Sequence, residues 1–154
     1  MKPPITDFQR AAWENYQQSC ADLAARISRE LAHHTGLSEA DYAVLAALSQ
    51  APTEYVRAIT LRHELAWEKG RLSHQLRRME TRGLLLREEC SEDNRSIIIR
   101  VTDTGRRLAA EACACYEQLV KRLVIDALTP EQLNTLNQIT DTLRLHWENS
   151  AETP

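Results

Sequence analysis

Turn-forming residues are scarce in this chain, which has four glycines and five prolines among 154 residues. Leu, Ala, Arg and Glu dominate instead, and these residues favour helices. The length is sufficient for one domain with a hydrophobic core. The composition therefore predicts a mostly helical protein with few turns.

Long apolar runs are also lacking, since "YAVLAAL" is typical of those present. A segment of that length does not span a membrane. The opening "MKPPITDFQR" has no apolar region of the kind found in signal peptides. The four cysteines, at positions 20, 90, 113 and 115, do not form a pattern typical of a disulfide framework in a helical chain. We therefore expect a cytoplasmic protein with reduced thiols and no membrane contact.

Positive charge is concentrated in one part of the sequence. Residues 57–107 contain 12 Lys/Arg and 8 Asp/Glu, a net charge of +4, while the remainder contains 7 and 14, a net charge of −7. A basic patch on an acidic protein favours an anionic partner. A solvated helix face would give the same charge pattern, so charge alone leaves both interpretations open.

Apolar periodicity and capping residues predict four helices in the first half of the chain. The first covers about 6–33, with Gly36 as its C-cap, and Ser38 caps the second. A third covers about 56–66. The fourth covers about 68–81 and ends at Arg82 and Gly83. The first helix carries an apolar stripe: Phe8, Trp13, Tyr16, Cys20, Leu23, Ile27 and Leu31.

A β-hairpin and two further helices complete the predicted order. "LLLREEC" and "SIIIRVT" are predicted strands joined by "SEDNR", with Asp93 and Asn94 at the tip. Thr102 caps a helix to about residue 126. Thr129 caps the last helix, which runs to about residue 149, with Pro130 in its first turn and Gln132 as capping-box partner. Both helices carry apolar stripes.

This order predicts a mostly α (α+β) fold. The third and fourth helices and the hairpin make a winged helix-turn-helix lobe with a two-stranded β-wing. The first and the last two helices are left with apolar stripes that need a partner. Interleaving the termini of two chains as a two-fold homodimer would bury them.

The segment "EKGRLSHQLRRMET" has two different faces when drawn as a helix. Leu72, Leu76 and Met79 share one side and should pack inward. The cations point the other way, as in a recognition helix that enters the major groove. Arg71 is suited to bidentate pairing with a guanine. Arg77, Arg78 and Arg82 lie farther along the helix and suit phosphates.

The stretch from Leu61 to Leu108 resembles the DNA-binding lobe of the MarR family of transcription regulators. The shared features are "RLSHQLRRME", "RGLL" entering the wing, "EDNRS" at its tip and "RVTDTGR" leading into the next helix. The sequence departs from the family at Glu68, where the helix usually starts with Ser, Thr or Asp, and at Gly70, usually polar.

The resemblance implies a single MarR-like domain over 1–154. A winged lobe would cover 38–103, and a dimerisation lobe would cover 1–37 and 104–150. It further implies binding to double-stranded DNA at a pseudo-palindromic operator. Arg95 would enter the minor groove, with AT-rich flanks preferred, and Asp93 would hold the wing tip. The expected DNA-contacting residues are Lys69, Gly70, Arg71, Ser73, His74, Arg77, Arg78, Asp93 and Arg95.

Many relatives are repressors released by a small phenolic or aromatic acid that binds between the lobes. Candidate pocket residues here come from positions near the first two helices and not from a motif, and each is also explained as a core aromatic or surface residue. They are Trp13, Tyr16, His33, His34, Tyr42 and Arg57.

The cysteines and the missing motifs bear on other functions. Some relatives sense oxidation through a cysteine in the first helix, where Cys20 lies. Cys113 and Cys115 point to opposite sides of a helix, so they do not suit a shared metal, and no cofactor is expected. A winged-helix module that binds proteins remains an alternative. The sequence has no nucleophile motif, phosphate-binding glycine loop or paired acid/base spacing, so we do not expect an enzyme.

Overall fold

The structure, a computed structural model, describes residues 4–90 and 93–151, with residues 93–95 and 151 described by their backbone alone. The described residues form six α-helices, one 3-10 turn and three strands. The helices are α1 (Asp7–Thr35), α2 (Glu39–Gln50), α3 (Ala58–Leu65), α4 (Lys69–Thr81), α5 (Asp103–Leu123) and α6 (Pro130–Ala151). The strands are β1 (Val56–Arg57), β2 (Leu85–Cys90) and β3 (Asp93–Val101). None of the described helices is long and apolar enough to cross a membrane.

Capping residues fix the helix ends as the sequence predicted. Ser38 accepts a hydrogen bond from the Asp41 backbone N–H at 3.1 Å, and the Asp41 carboxylate accepts one from the Ser38 backbone N–H at 2.8 Å. Thr129 and Gln132 form the same reciprocal pair at the start of α6. Gly36 ends α1 with a φ of +70°, a left-handed conformation that glycine adopts without strain.

The sheet has one strand more than predicted. Its order is β1-β3-β2, all antiparallel, with Val56 opposite Ile99 and Arg57 opposite Ile98. The prediction that Val56 and Arg57 begin the third helix was therefore wrong, although the two-stranded wing is present. Two residues are too few to show the alternation by which a strand is recognised in sequence.

The prediction for the wing turn was also wrong. Asp93 and Asn94 belong to β3 rather than to the tip, because Asp93 lies opposite Cys90 in the ladder. The connection is residues 91–92, which lie outside the described residues. The register shifts between Glu89, which lies opposite Ile97, and Cys90. Asp favours turns, but pairing with Cys90 takes Asp93 into the strand, and Asn94 follows it in β3.

The chain divides into two compact units, residues 1–117 and 118–154. The first contains the main core, in which side chains from α1–α4, the sheet and the start of α5 pack together. Its fully buried members include Leu31, Leu37, Val44, Leu45, Leu61, Met79, Leu84, Leu85 and Ile99.

The helices α1 and α6 each carry several exposed apolar side chains. On α1, Phe8 is 82 % exposed, and Trp13 and Tyr16 are about half exposed. In the second unit, α6 exposes Leu136, Ile139, Leu143, Leu145 and Trp147. All of these except Leu145 belong to the stripes that the sequence predicts to be buried in a dimer. The single domain over 1–154 with lobes at 38–103, 1–37 and 104–150 stays a prediction.

Candidate nucleic-acid interface

The inward side of α4 attaches this helix to the core. Leu72 and Leu76 are each 3 % exposed and Met79 is fully buried, as the helical wheel predicted. Burial of three large apolar side chains at this spacing fixes the rotation of the helix about its own axis. The opposite side must therefore face solvent.

Seven residues of that outward side form what we call the recognition face. All seven are exposed, and none of them is acidic. They were predicted as DNA contacts, and the structure leaves every one of them exposed on α4. The recognition face consists of Lys69, Gly70, Arg71, Ser73, His74, Arg77 and Arg78.

The remaining predicted contacts lie on the wing. Asp93 and Arg95 are in β3, but their side chains lie outside the described part of the structure. Their predicted roles stay predictions. Glu68, which departs from the family pattern, is the N-cap of α4 and makes no side-chain capping hydrogen bond.

A buried carboxylate joins α2 to α4. The Asp41 side chain is 4 % exposed, and it accepts hydrogen bonds from Gln75 Nε2 at 2.6 Å and Arg82 Nη1 at 2.6 Å. Burial alone would raise the pKa of Asp41, but the Ser38 N–H and the Arg82 guanidinium bring it below its ordinary value. Asp41 is therefore held as the anion.

The Arg82 side chain is consequently not available to bind a phosphate. The sequence indicated a phosphate binder, but the Arg82 guanidinium bonds to Asp41 and, through Nη2, to the Gly36 carbonyl at 3.0 Å. Its other predicted role, ending the recognition helix, is confirmed, since it is the C-cap of α4.

A second ion pair joins α4 to the wing. Glu80 Oε2 lies 2.6 Å from Arg87 Nη2 and 2.9 Å from Arg87 Nε, and Glu80 Oε1 accepts the Arg87 backbone N–H at 3.0 Å. The hydrogen bonds from the Arg87 side chain, with the one from its backbone N–H, lower the pKa of Glu80. Together with the Asp41 contacts, this pair orients α4 against its neighbours on two sides.

Arg71 has a different partner. Its guanidinium carbon lies 4.1 Å from the centre of the Trp67 ring, a cation–π distance. Trp67 is half-buried and packs against the edge of the main core. None of the described hydrogen bonds or ion pairs uses the Arg71 guanidinium, in contrast to Arg82 and Arg87.

A cavity of about 310 Å³ lies between α3, α4 and the wing. Apolar side chains, including Ile59 and Leu76, share its wall with basic ones. The basic side chains of its lining are Arg57, Arg62, Lys69 and Arg87, and the lining contains no acidic residue among those described.

The six residues predicted to bind a ligand are not brought together at this cavity. Arg57 lines it, and the described lining includes none of the other five. Ring contacts instead pair Trp13 with Tyr16, His33 with His34, and Tyr42 with Tyr116 at 5.7, 5.2 and 5.0 Å between centroids. Burial and the neighbouring Cys113 thiol raise the pKa of Tyr42 to about 12, so its hydroxyl stays protonated.

The four cysteines are free thiols in the structure. Cys20 is exposed, and its thiol, one turn along α1 from Tyr16, raises the pKa of that tyrosine. In the part of the chain that is described, no three His, Cys, Asp or Glu side chains are grouped as metal ligands.

Sequence reasoning missed three supports of the recognition face: Asp41, Gln75 and Trp67. Gln75 carried a signal, because it is a polar residue between Leu72 and Leu76 on the inward side of the helix. Asp41 gave no comparable signal, because an acid in the first turn of α2 is already explained by its capping role.

A helix-turn-helix that rests on a core, is flanked by a β-wing and presents an outward basic helix defines the class of winged-helix DNA-binding proteins. A sequence profile of the transcriptional regulator SarA/Rot family matches residues 26–112, more than half of the chain. The chain therefore belongs to the SarA/Rot family of transcriptional regulators, which are not enzymes.

Solved structures agree with this assignment. AbsC, a MarR family transcriptional regulator from Streptomyces coelicolor, is 28 % identical, with 96 % of this chain and 99 % of that chain covered and a TM-score of 0.85. Sco3205, a MarR family regulator of the same organism solved in complex with DNA, is 26 % identical over 93 % and 90 % of the two chains, also with a TM-score of 0.85.

An organohalide-sensing RdhR regulator in its 2,4-dichlorophenol-bound form is 20 % identical over 95 % and 87 % of the chains, with a TM-score of 0.80, and shares the fold. Comparison with curated proteins found no match. The resemblance to the MarR family is thus confirmed, and the protein is a DNA-binding transcriptional regulator of the MarR/SarA type.

Proposed function

We propose that the protein is a homodimeric repressor that binds a pseudo-palindromic operator and releases it when a small aromatic or phenolic anion binds. The recognition face carries this proposal, because α4 presents seven exposed, non-acidic residues while its buried apolar residues attach it to the core. In this arrangement the first turns of α4 enter the major groove. Arg77 and Arg78 bind phosphates, and Arg95 reaches the minor groove from the wing with Asp93 beside it.

The exposed apolar residues of α1 and α6 support the homodimer. Phe8, Trp147 and Leu145 are each at least 60 % exposed, and such clusters of apolar surface are typical of association sites. In a two-fold dimer each chain buries the same surface of the other. The two recognition faces would then meet two half-sites about one helical turn apart.

The cavity beside α4 supports an anionic effector. The cationic side chains of Arg62 and Lys69, with an apolar wall, suit a molecule with a carboxylate or phenolate and an aromatic ring. Lys69 and Ser73 belong both to the cavity lining and to the recognition face. A ligand bound there would therefore compete with DNA for the same side chains.

Selection from a random-sequence duplex library, followed by fluorescence anisotropy, tests the proposal. We expect one enriched pseudo-palindrome, bound by one dimer and released by phenols or benzoates. Arg95→Ala should weaken binding, whereas Arg107→Ala, an exposed cation paired with Glu111 on α5, should not. Equal weak binding to every duplex would refute sequence-specific recognition and favour a protein-binding module.

Oxidation sensing is a second candidate, favoured by the exposed Cys20 thiol in α1. If Cys20 is the sensor, hydrogen peroxide should release DNA from the wild type and leave Cys20→Ser bound. Identical release from both proteins would exclude this cysteine.

A further inference from the structure

Trp67 and Arg71 lie on opposite sides of the N-cap of α4, four residues apart. Trp67 precedes the helix, and Arg71 is in its first turn. Their contact at 4.1 Å between the guanidinium carbon and the ring centre joins a residue of the turn to a residue of the recognition face. We propose that Trp67 is a positioning residue that holds Arg71 ready to read a guanine, so that this stacking sets base specificity.

The Trp67 ring, on which Arg71 stacks, is fixed in position by its surroundings. Trp67 packs against the edge of the main core, and its backbone N–H donates to the Arg62 carbonyl at 3.1 Å. Ala66 before it has a φ of +51°, the single non-glycine residue with positive φ among those described. Backbone hydrogen bonds thus define the turn between α3 and α4, and the Trp67 indole is supported by its packing against the core.

The guanidinium is left with its donors available. A guanidinium stacked on a ring uses its flat face and leaves its edge N–H groups free to bond. In the described structure no acceptor takes the Arg71 donors, although the arginines at 82 and 87 are both paired with carboxylates. A guanine presents O6 and N7 to such an edge in the major groove.

Stacking also limits the conformations of a long, flexible side chain. An unsupported arginine loses rotamer entropy when it binds a base, and a side chain that is already ordered loses less. The stacking should therefore increase the discrimination between guanine and adenine at one operator position. The affinity for non-specific DNA should not change, because other residues make the phosphate contacts.

This inference rests on the proposed contact of Arg71 with the major groove. Selection from a random-sequence duplex library is therefore made with wild type, Arg71→Ala, Trp67→Leu and Trp67→Phe, with thermal unfolding of each. The guanine read by Arg71 is identified as the operator position at which the wild type prefers guanine and Arg71→Ala shows no base preference. At that position Trp67→Leu should lose about two- to fivefold in guanine-over-adenine discrimination, the value of an exposed cation–π contact, and Trp67→Phe should retain most of it.

Replacing that guanine by 7-deazaguanine adds a chemical control. It removes the N7 acceptor, so the difference in affinity between wild type and Trp67→Leu should shrink. A Trp67→Leu protein with wild-type discrimination overturns the inference, as does an equal loss at every operator position, which would indicate a purely structural role.

The failure of the proposed function looks different. If Arg71→Ala keeps every base preference, Arg71 does not read a base, and the inference falls while DNA binding stands. If the wild-type protein enriches no sequence, sequence-specific recognition itself is refuted, and the inference falls with it.

Discussion

The carboxylate of Asp41 accepts hydrogen bonds from both Gln75 and Arg82, at 2.6 Å each. Gln75 is in the middle of the recognition helix and Arg82 is its C-cap. A single buried acid of α2 thus holds α4 at two points about two turns apart. Since Arg82 also bonds to the Gly36 carbonyl, the junction of α1 and α2 is tied to the same helix end.

Asp41→Ala should therefore destabilise the protein. It leaves the buried Gln75 amide without its partner and removes the capping acceptor for the Ser38 N–H, and unpaired buried polar groups cost about 1–3 kcal/mol each. Urea unfolding measures the change. Glu39→Ala, which removes an exposed acid from the same first turn, is the control and should change stability by less than about 0.5 kcal/mol. Similar values for the two variants would show that the Asp41 contacts contribute nothing.

Acid should weaken the fold through Asp41 and Glu80. Both have pKa values in the folded protein below their ordinary values of 3.8 and 4.5, so both bind protons more tightly when unfolded. Their contribution is complete at neutral pH and is lost as pH falls below about 4.5 and through the folded values. Urea titrations between pH 7 and pH 3 should show this decline, with a shallower decline in Asp41→Asn. A free energy of unfolding that is constant over this range would contradict the assignment.

Gly105, near the start of α5, should not tolerate a side chain. A Cβ at this position would lie 2.0 Å from the Leu84 carbonyl oxygen and 2.8 Å from Val101 Cγ1. Gly105→Ala should cost at least about 1–3 kcal/mol, because backbone must move to accept it. Gly70→Ala is the matched control, since a Cβ there meets nothing within 4 Å, and it should stabilise the protein by about 0.4–1 kcal/mol. Thermal unfolding of the two variants measures the difference. If both melting temperatures shift in the same direction, this packing is refuted.

The packing of the buried side of α4 predicts a large loss of stability when one of its side chains is shortened. Leu76 is 3 % exposed, and Leu76→Ala should lower the free energy of unfolding by about 2–5 kcal/mol. Leu86→Ala on β2 removes the same atoms from a side chain that is 49 % exposed and should cost much less. Equal losses in urea unfolding would mean that α4 does not pack as described.

Much of this arrangement was predictable because local chemistry determines it. The caps at Ser38, Thr129 and Gly36 are set by residues within one turn of the helix end, so sequence shows them. The two faces of α4 follow from the spacing of Leu72, Leu76 and Met79. Both kinds of signal depend on near neighbours in the chain.

The features that were missed depend on distant residues. Asp41 and Gln75 are 34 positions apart, and nothing local indicates that they meet. The strand at Val56 exists because β3 offers it a partner more than 40 residues later. The start of β3 was misjudged for a related reason, since pairing with Cys90 overrides the turn preference of Asp93.

Binding of DNA through the recognition face is most directly tested by a salt series. Fluorescence anisotropy with the selected duplex would compare wild type, the double variant Arg77→Ala/Arg78→Ala and the control Arg107→Ala. If these two arginines bind phosphates, the double variant binds more weakly. The slope of log K against log salt is negative, and its magnitude should decrease by about one for each phosphate that is no longer neutralised. The control should keep the wild-type slope. An unchanged affinity and slope in the double variant would contradict the placement of DNA on this side of α4.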